Sequence, residues 1–208
     1  MTDVPPPHPR ARESMAAAIQ TQAALVSAAL VDLRACTDVL ALAATRMLGT
    51  LQSGHKIMVA GNGGSAAEAQ HFAAELVGRF QRERSPYAAL ALTTDTSILT
   101  AVANDYSYDD IFARQIAALG REGDLFLAYS TSGRSRNLMR AVETARERNI
   151  VSVAVTGSSL SPLGEAADLT IRTPGAETPI VQQLHTVMTH LLCDFLETRL
   201  AEPEAPQP

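Results

Sequence analysis

Apolar residues recur at helical spacing through Met15, Ile19, Val26, Leu30 and Leu33, and again through Leu40, Ala44, Met47, Leu48 and Leu51 until Gly54 stops the run. The pattern predicts two long helices at the start of the fold. Beyond them it changes to short apolar runs, at Lys56 to Ala60, Ala88 to Leu92, Asp124 to Ser130, Val151 to Thr156 and Asp168 to Arg172. These are five candidate strands. The intervening segments read as helices, roughly Ser65 to Phe80, Thr96 to Ala103, Asp109 to Leu119, Arg134 to Arg148 and, last, Pro179 to Leu200. Such alternation predicts an α/β three-layer sandwich, a five-stranded parallel sheet with helices on both faces. Ligands of these sheets bind at the carboxyl ends of the strands, so chemistry is expected in the loops that follow them. No internal repeat is present. The proline-rich ends, residues 1–12 and 202–208, read as disordered tails, which leaves 13–201 as one domain with a helical N-terminal extension.

Composition narrows the function classes. The chain has 208 residues, 46% of them hydrophobic and 19% charged, which excludes disorder as the overall state. A chain of this length buries about 70% or more of its unfolded surface and needs neither disulfide nor structural metal to fold. Lys and Arg total 17 against 22 acidic residues, a net charge of -5, and no basic stripe forms. Direct nucleic-acid binding is therefore not expected. Any anionic substrate must be held by local dipoles, because the global field does not attract it. Cys36 and Cys193 lie far apart, without metal or redox spacing, and read as core thiols in a reducing compartment. The most apolar stretch, Met15 to Leu33, is broken by Gln20, Thr21, Gln22 and Ser27, so no membrane span is expected and a cytoplasmic location is.

Two loops have the chemistry to hold a phosphate. After the first strand comes Gly61-Asn62-Gly63-Gly64-Ser65, just before a helix beginning near Ala66. Its glycines let backbone N–H groups converge on an anion, Ser65 adds a hydroxyl, and the helix start adds its positive end. The loop lacks the Lys of a nucleotide-triphosphate loop and the spacing of a dinucleotide fingerprint. After the third strand comes Ser130-Thr131-Ser132-Gly133-Arg134-Ser135, with four hydroxyls and again leading into a helix. Two hydroxyl-rich loops in one sheet favour a phosphorylated sugar over a nucleotide.

His71 and Glu75 stand four apart and share one helix face, behind the first loop. That spacing suits either a divalent metal or a base beside a polarising group, as well as a plain solvated face. The last helix carries Gln182, Gln183, His185 and His190. His185 and His190, five apart, point in different directions. Gln182 and His190, eight apart, are separated by about 12 Å along a continuous helix. They can meet at one metal only if Gln182 reaches over from the start of the helix or if subunits share the site.

The runs Gly61-Asn62-Gly63-Gly64-Ser65 through Ala69-Gln70-His71-Phe72-Ala73-Ala74-Glu75-Leu76, then Leu99 to Tyr106, then Ser130-Thr131-Ser132-Gly133, together resemble the phosphoheptose (sedoheptulose 7-phosphate) isomerases, which have the sugar isomerase (SIS) fold. The likeness runs from about Ser14 to Leu200. It implies a cytoplasmic homotetramer with active sites between subunits. Met15 to Leu33 and Leu40 to Leu51 offer more apolar surface than the cover of a five-stranded sheet requires, so the tetramer is expected to be built on these N-terminal helices. The reaction implied is isomerisation of sedoheptulose 7-phosphate to D-glycero-D-manno-heptose 7-phosphate through an enediol, which feeds heptose synthesis for lipopolysaccharide or related glycans. Carried over by the resemblance, His71, Glu75, Gln182 and His190 are the ligands of one zinc per subunit, and Glu75 and His190 are the catalytic proton-transfer groups. Substrate contacts fall on Asn62, Gly63, Gly64, Ser65, Glu75, Asn104, Asp105, Ser130, Thr131, Ser132, Ser135 and Gln182.

The chain departs from the family at Ile180-Val181-Gln182-Gln183-Leu184-His185, where a basic residue followed by Ile-Gln-Glu is usual, and the loop from Ser158 to Leu163 lacks paired glycines. Two alternatives stand beside the isomerase. One is a non-catalytic tetrameric relative that binds the bacterial replication initiator, in which the positions of Glu75 and His190 are replaced. The other is an isomerase of a different ketose phosphate.

Overall fold

The computed structural model describes residues 8–175 and 177–201. Two helices open it, α1 (Pro9–Asp32) and α2 (Thr37–Gln52), joined by a 3-10 turn. Then follow β1 (Ile57–Gly61), α3 (Gly64–Val77), β2 (Ala89–Ala91), α4 (Thr96–Asp105), α5 (Ala113–Leu119), β3 (Leu125–Ser130), α6 (Arg136–Glu147), β4 (Val151–Gly157), α7 (Pro162–Ala166), β5 (Leu169–Thr173) and α8 (Thr178–Ala201). Because α1 begins at Pro9, residues 9–12, expected in the N-terminal tail, are helical; a proline is well tolerated in a first helical turn. Residues 1–7 and 202–208 lie outside the described residues.

The five strands form one parallel sheet in the order β2-β1-β3-β4-β5. Both faces are covered, which is why β1 and β3 are continuous apolar runs rather than alternating ones. Ile57 and Val59 point into a core with Met47, Phe72, Leu76, Leu184 and Met188, which packs α2, α3 and α8 on one face. Met58 and Ala60 point the other way, into a core with Val102, Ile116, Leu138 and Leu163 from α4 to α7. Cys36 and Cys193 are buried, as their isolation in sequence implies.

Strand starts fall one residue later than the apolar pattern predicts at Lys56, Asp124 and Asp168. The reason is that the aspartates act as caps. Asp124 accepts the Lys56 and Arg121 backbone N–H groups and an ion pair from Lys56 Nζ, and Asp168 accepts the Ser152 N–H. The predicted helix at Asp109 to Leu119 splits into a 3-10 turn (Tyr108–Asp110) and α5, and the five-residue α7 has no counterpart among the predicted helices. No helix among the described residues is long and apolar enough to cross a membrane.

Candidate active site

The sheet order reverses direction between β1 and β3, and the loops after these adjacent strands are the two glycine- and hydroxyl-rich ones. A crevice opens at such a switch point, outside the carboxyl ends of the strands. In the first loop Gly63 has φ of +57°, a conformation that favours glycine, and α3 starts directly after it. The helix thus begins two residues earlier than Ala66, and Ser65 is a buried first-turn residue rather than part of an open rim. A Cβ at Gly61 would run into the Ser65 carbonyl, and one at Gly64 would come within 2.5 Å of Gln182 Nε2. Glycine at these positions lets strand, helix and the α8 side chain close together.

In the second loop Ser130 Oγ accepts the Gly133 N–H at 3.1 Å and meets Ser135 Oγ at 3.3 Å, while Ser132 Oγ accepts the Arg134 N–H at 3.3 Å. Ser132 is exposed, and together with Thr131 it lines a hydroxyl-rich cavity of about 340 Å³ that also takes in Ser158, Ser159 and Thr178. The first loop is braced to the start of α6, the helix that follows the second loop, by a reciprocal amide pair. Asn62 Nδ2 donates to Asn137 Oδ1 at 3.0 Å and Asn137 Nδ2 donates to Asn62 Oδ1 at 2.9 Å, with Tyr108 Oη donating to the same Asn62 oxygen at 3.0 Å. Asn137 and Tyr108 are absent from the residues singled out in the sequence. Asn137 carries a signal there, a polar residue on the otherwise apolar inner face of α6, where it is buried.

Beside the first loop, α3 and α8 cross, and a cleft of about 420 Å³ is lined by Gly64, Ser65, Glu68, His71, Gln182 and Thr186, among others. His71 Nε2 lies 3.0 Å from Glu75 Oε1 and 3.3 Å from His190 Nε2. Donor atoms of these three residues all fall within 4.8 Å of one another, and the side chains are half-buried. Two imidazole nitrogens and a carboxylate oxygen converging in this way are a donor set that can hold a divalent transition metal ion. Gln182 sits in the second turn of α8, with its amide against Gly64 at the head of α3.

Other expected residues stand apart from this cluster. Asn104 and Asp105 are exposed at the end of α4, bonded to each other at 2.8 Å. His185 is buried against Tyr129 and is no chelating partner of His190. Burial pushes its pKa down to about 4, against the opposing pull of the Thr156 backbone, so it is neutral near pH 7. Burial likewise pushes the Cys193 thiol up to about 12, which excludes it as a nucleophile at neutral pH. Glu68, which spacing did not single out, is buried in the cleft wall and accepts from Thr186 Oγ1 at 2.6 Å.

Comparison with known proteins gives the family and the fold. The SIS domain family model matches residues 21–157. Phosphoheptose isomerase from Bradyrhizobium sp. (strain ORS 278) is 49% identical over 159 residues, 76% of this chain and 80% of the relative. That from Bradyrhizobium sp. (strain BTAi1) is 44% identical over 193 residues, 93% and 91% of the two chains. The chain belongs to the phosphoheptose isomerase family. Solved phosphoheptose isomerases agree in fold. The structure from Francisella tularensis superposes with a TM-score of 0.84 at 36% identity, covering 89% of this chain and 98% of the other. The one from Neisseria gonorrhoeae gives 0.84 at 37%, covering 88% and 99%. The fold expected of the family, a five-stranded parallel SIS sheet preceded by long helices, is the one observed.

Proposed function

We propose that this member of the phosphoheptose isomerase family converts sedoheptulose 7-phosphate to D-glycero-D-manno-heptose 7-phosphate, in cytoplasmic heptose synthesis for lipopolysaccharide or related glycans. The observation that carries the reading is the convergence of His71, Glu75 and His190, with His71 lining the same cleft as Gly64 and Ser65 of the first loop. The replication-initiator relative is disfavoured by the same convergence, since Glu75 and His190 are the positions at which it departs.

The chemistry follows from the residue types. Moving a carbonyl from C2 to C1 needs a base next to the carbonyl and a second acid–base group. Glu75 takes a proton from C1, leaving the enediol, and His190 gives one to C2; the hydroxyl proton passes from O1 to O2, so the product is an isomer, and Glu75 then loses its proton to water while His190 regains one from it, which restores both groups. Asn62, Gly63, Gly64, Ser65, Ser130, Thr131, Ser132 and Ser135 hold the phosphate end and neighbouring hydroxyls through backbone N–H and hydroxyl donors. Gln182 orients the sugar from α8, and Asn104 and Asp105 are assigned to substrate from the end of α4. Zinc, one per subunit on His71, Glu75, Gln182 and His190, supplies when bound Lewis-acid polarisation of the sugar oxygens.

We place the protein in a homotetramer with sites between subunits. Helix α1 buries Ala29 alone, while Met15, Ile19 and Val31 are each more than 60% exposed and Leu25 and Leu30 are exposed as well. An apolar face of this length is covered in an oligomer.

The test is product analysis of the purified protein with sedoheptulose 7-phosphate, with and without a chelator. The aldose phosphate is expected, with loss of turnover on chelation and recovery on adding zinc. No conversion by zinc-loaded protein overturns the reading.

A further inference from the structure

We infer that Glu197, through Arg84 and the segment after α3, is a positioning residue that holds Glu75 and His190 in register; the inference rests on the reading above only for the identity of the reaction. Glu197 lies near the end of α8 and is wholly buried. Its carboxylate accepts the backbone N–H groups of Phe80 at 3.1 Å and of Gln81 and Arg82 at 2.9 Å each, and Arg84 Nε at 3.2 Å. The segment from Gly78 to Ala88 has no helix or strand, and Glu197 gathers three of its backbone N–H groups. Burial pushes the carboxyl's pKa up, but the N–H donors of Gln81, Arg82 and Phe80 and the Arg84 charge outweigh it, and the net shift is downward.

What this segment touches sets it apart from an ordinary loop anchor. Arg84 is itself buried on its side chain, and its far end donates to two of the last carbonyls of α3, Nη2 to Glu75 O at 2.7 Å and Nη1 to Leu76 O at 2.8 Å, and Nη1 also to the carbonyl of Gly78, just past the helix, at 3.1 Å. These are the acceptors that a helix end leaves without partners, and here one of them belongs to Glu75. From the same segment the Phe80 ring packs on His190, with centroids 5.3 Å apart and planes tilted by 34°. The Glu197 carboxylate therefore grips, through two arms, the backbone of one member of the cluster and the ring of another. Partners of this kind fix the orientation of metal-ligating and proton-transferring side chains, and their loss commonly costs about 10- to 100-fold in metal affinity or activity.

Glu197→Gln keeps the volume but turns a donor toward N–H groups that need acceptors. The metal-stripped protein is titrated with cobalt(II), whose visible spectrum reports ligand geometry, and kcat and KM are measured on the zinc-loaded protein well below its melting temperature. A fall of about 10- to 100-fold in cobalt affinity or kcat, with KM changed by less than about twofold, is expected. Partial recovery is expected in Glu197→Asp, which keeps the charge. A variant with a lowered Tm but parental cobalt affinity, spectrum and kcat would show that Glu197 merely ties down a loop, and would overturn the inference. If Glu197→Gln does not fold, Phe80→Leu decides, because it leaves the carboxylate in place; unchanged affinity and kcat there also overturn it. Parental protein that binds cobalt but leaves sedoheptulose 7-phosphate unaltered overturns the proposed function instead, and the Glu197→Gln affinity still decides the positioning.

Discussion

The Nε2 atoms of His71 and His190 lie 3.3 Å apart although 119 positions separate them in the chain. Neither helix brings them together alone. Their meeting depends on the packing of α3 against α8 over the core formed by Phe72, Leu76, Leu184 and Met188, so the chemistry of the cleft is tied to that helix pair.

Glu75→Gln is expected to abolish turnover while leaving the fold and most substrate affinity in place. The amide keeps the size of the side chain but cannot accept a proton, and loss of a general base costs about 10²- to 10⁴-fold. His190→Gln should be comparably damaging, and the double variant little worse than either, because the two act as one unit. Exchange of the substrate's C1 hydrogens with deuterated water, followed by NMR, is the check. Wild-type exchange in Glu75→Gln would assign the base to another residue.

Ser132→Ala should raise KM for the phosphorylated sugar with little change in kcat. A hydroxyl donating to a charged phosphate contributes about 1.5 to 3 kcal/mol, which corresponds to roughly 10- to 150-fold. Ser65→Ala should act in the same direction. Steady-state kinetics on both variants decides, and unchanged KM in both would make the loops structural only.

His185 makes stability depend on pH. Its folded pKa of about 4 lies below the ordinary value of 6.5, so the unfolded chain takes up a proton first as pH falls. Stability is full above about pH 6.5 and declines toward pH 4, by about 3 kcal/mol in all. Urea unfolding of the parent and of His185→Leu across this window should show the slope in the parent and its loss in the variant. Glu197 and Asp124, whose pKa values are lowered, withdraw their contribution in the more acidic range below the ordinary carboxyl values.

Light scattering should report a tetramer at micromolar concentration. Charged replacements at Met15 and Ile19, both exposed on α1, should shift it to smaller species without unfolding the sheet. A stable parental monomer would remove the shared active site from the mechanism.

Much of this molecule is legible in its sequence because parallel strands covered on both faces leave unbroken apolar runs, as at Ile57 to Ala60 and Leu125 to Tyr129. The His71–Glu75 pair is legible for a similar reason, since a spacing of four is a contact on any helix. Partners set by tertiary packing leave no such trace. Nothing in the spacing of His185 and His190 says which of them faces His71, and no motif marks Glu197, which is wholly buried. Helix α7 is too short for a periodicity, and Asp124 and Asp168 read as strand starts because a capping carboxylate sits at the same place as a first strand residue.

The contact between Gly64 and Gln182 offers a handle on the cleft from the opposite helix. A methyl group at position 64 would meet only the far end of a flexible side chain, and the backbone there has no need of glycine's conformational freedom. Gly64→Ala is therefore an eviction across the cleft: it displaces the Gln182 amide from its berth without changing the sequence of α8.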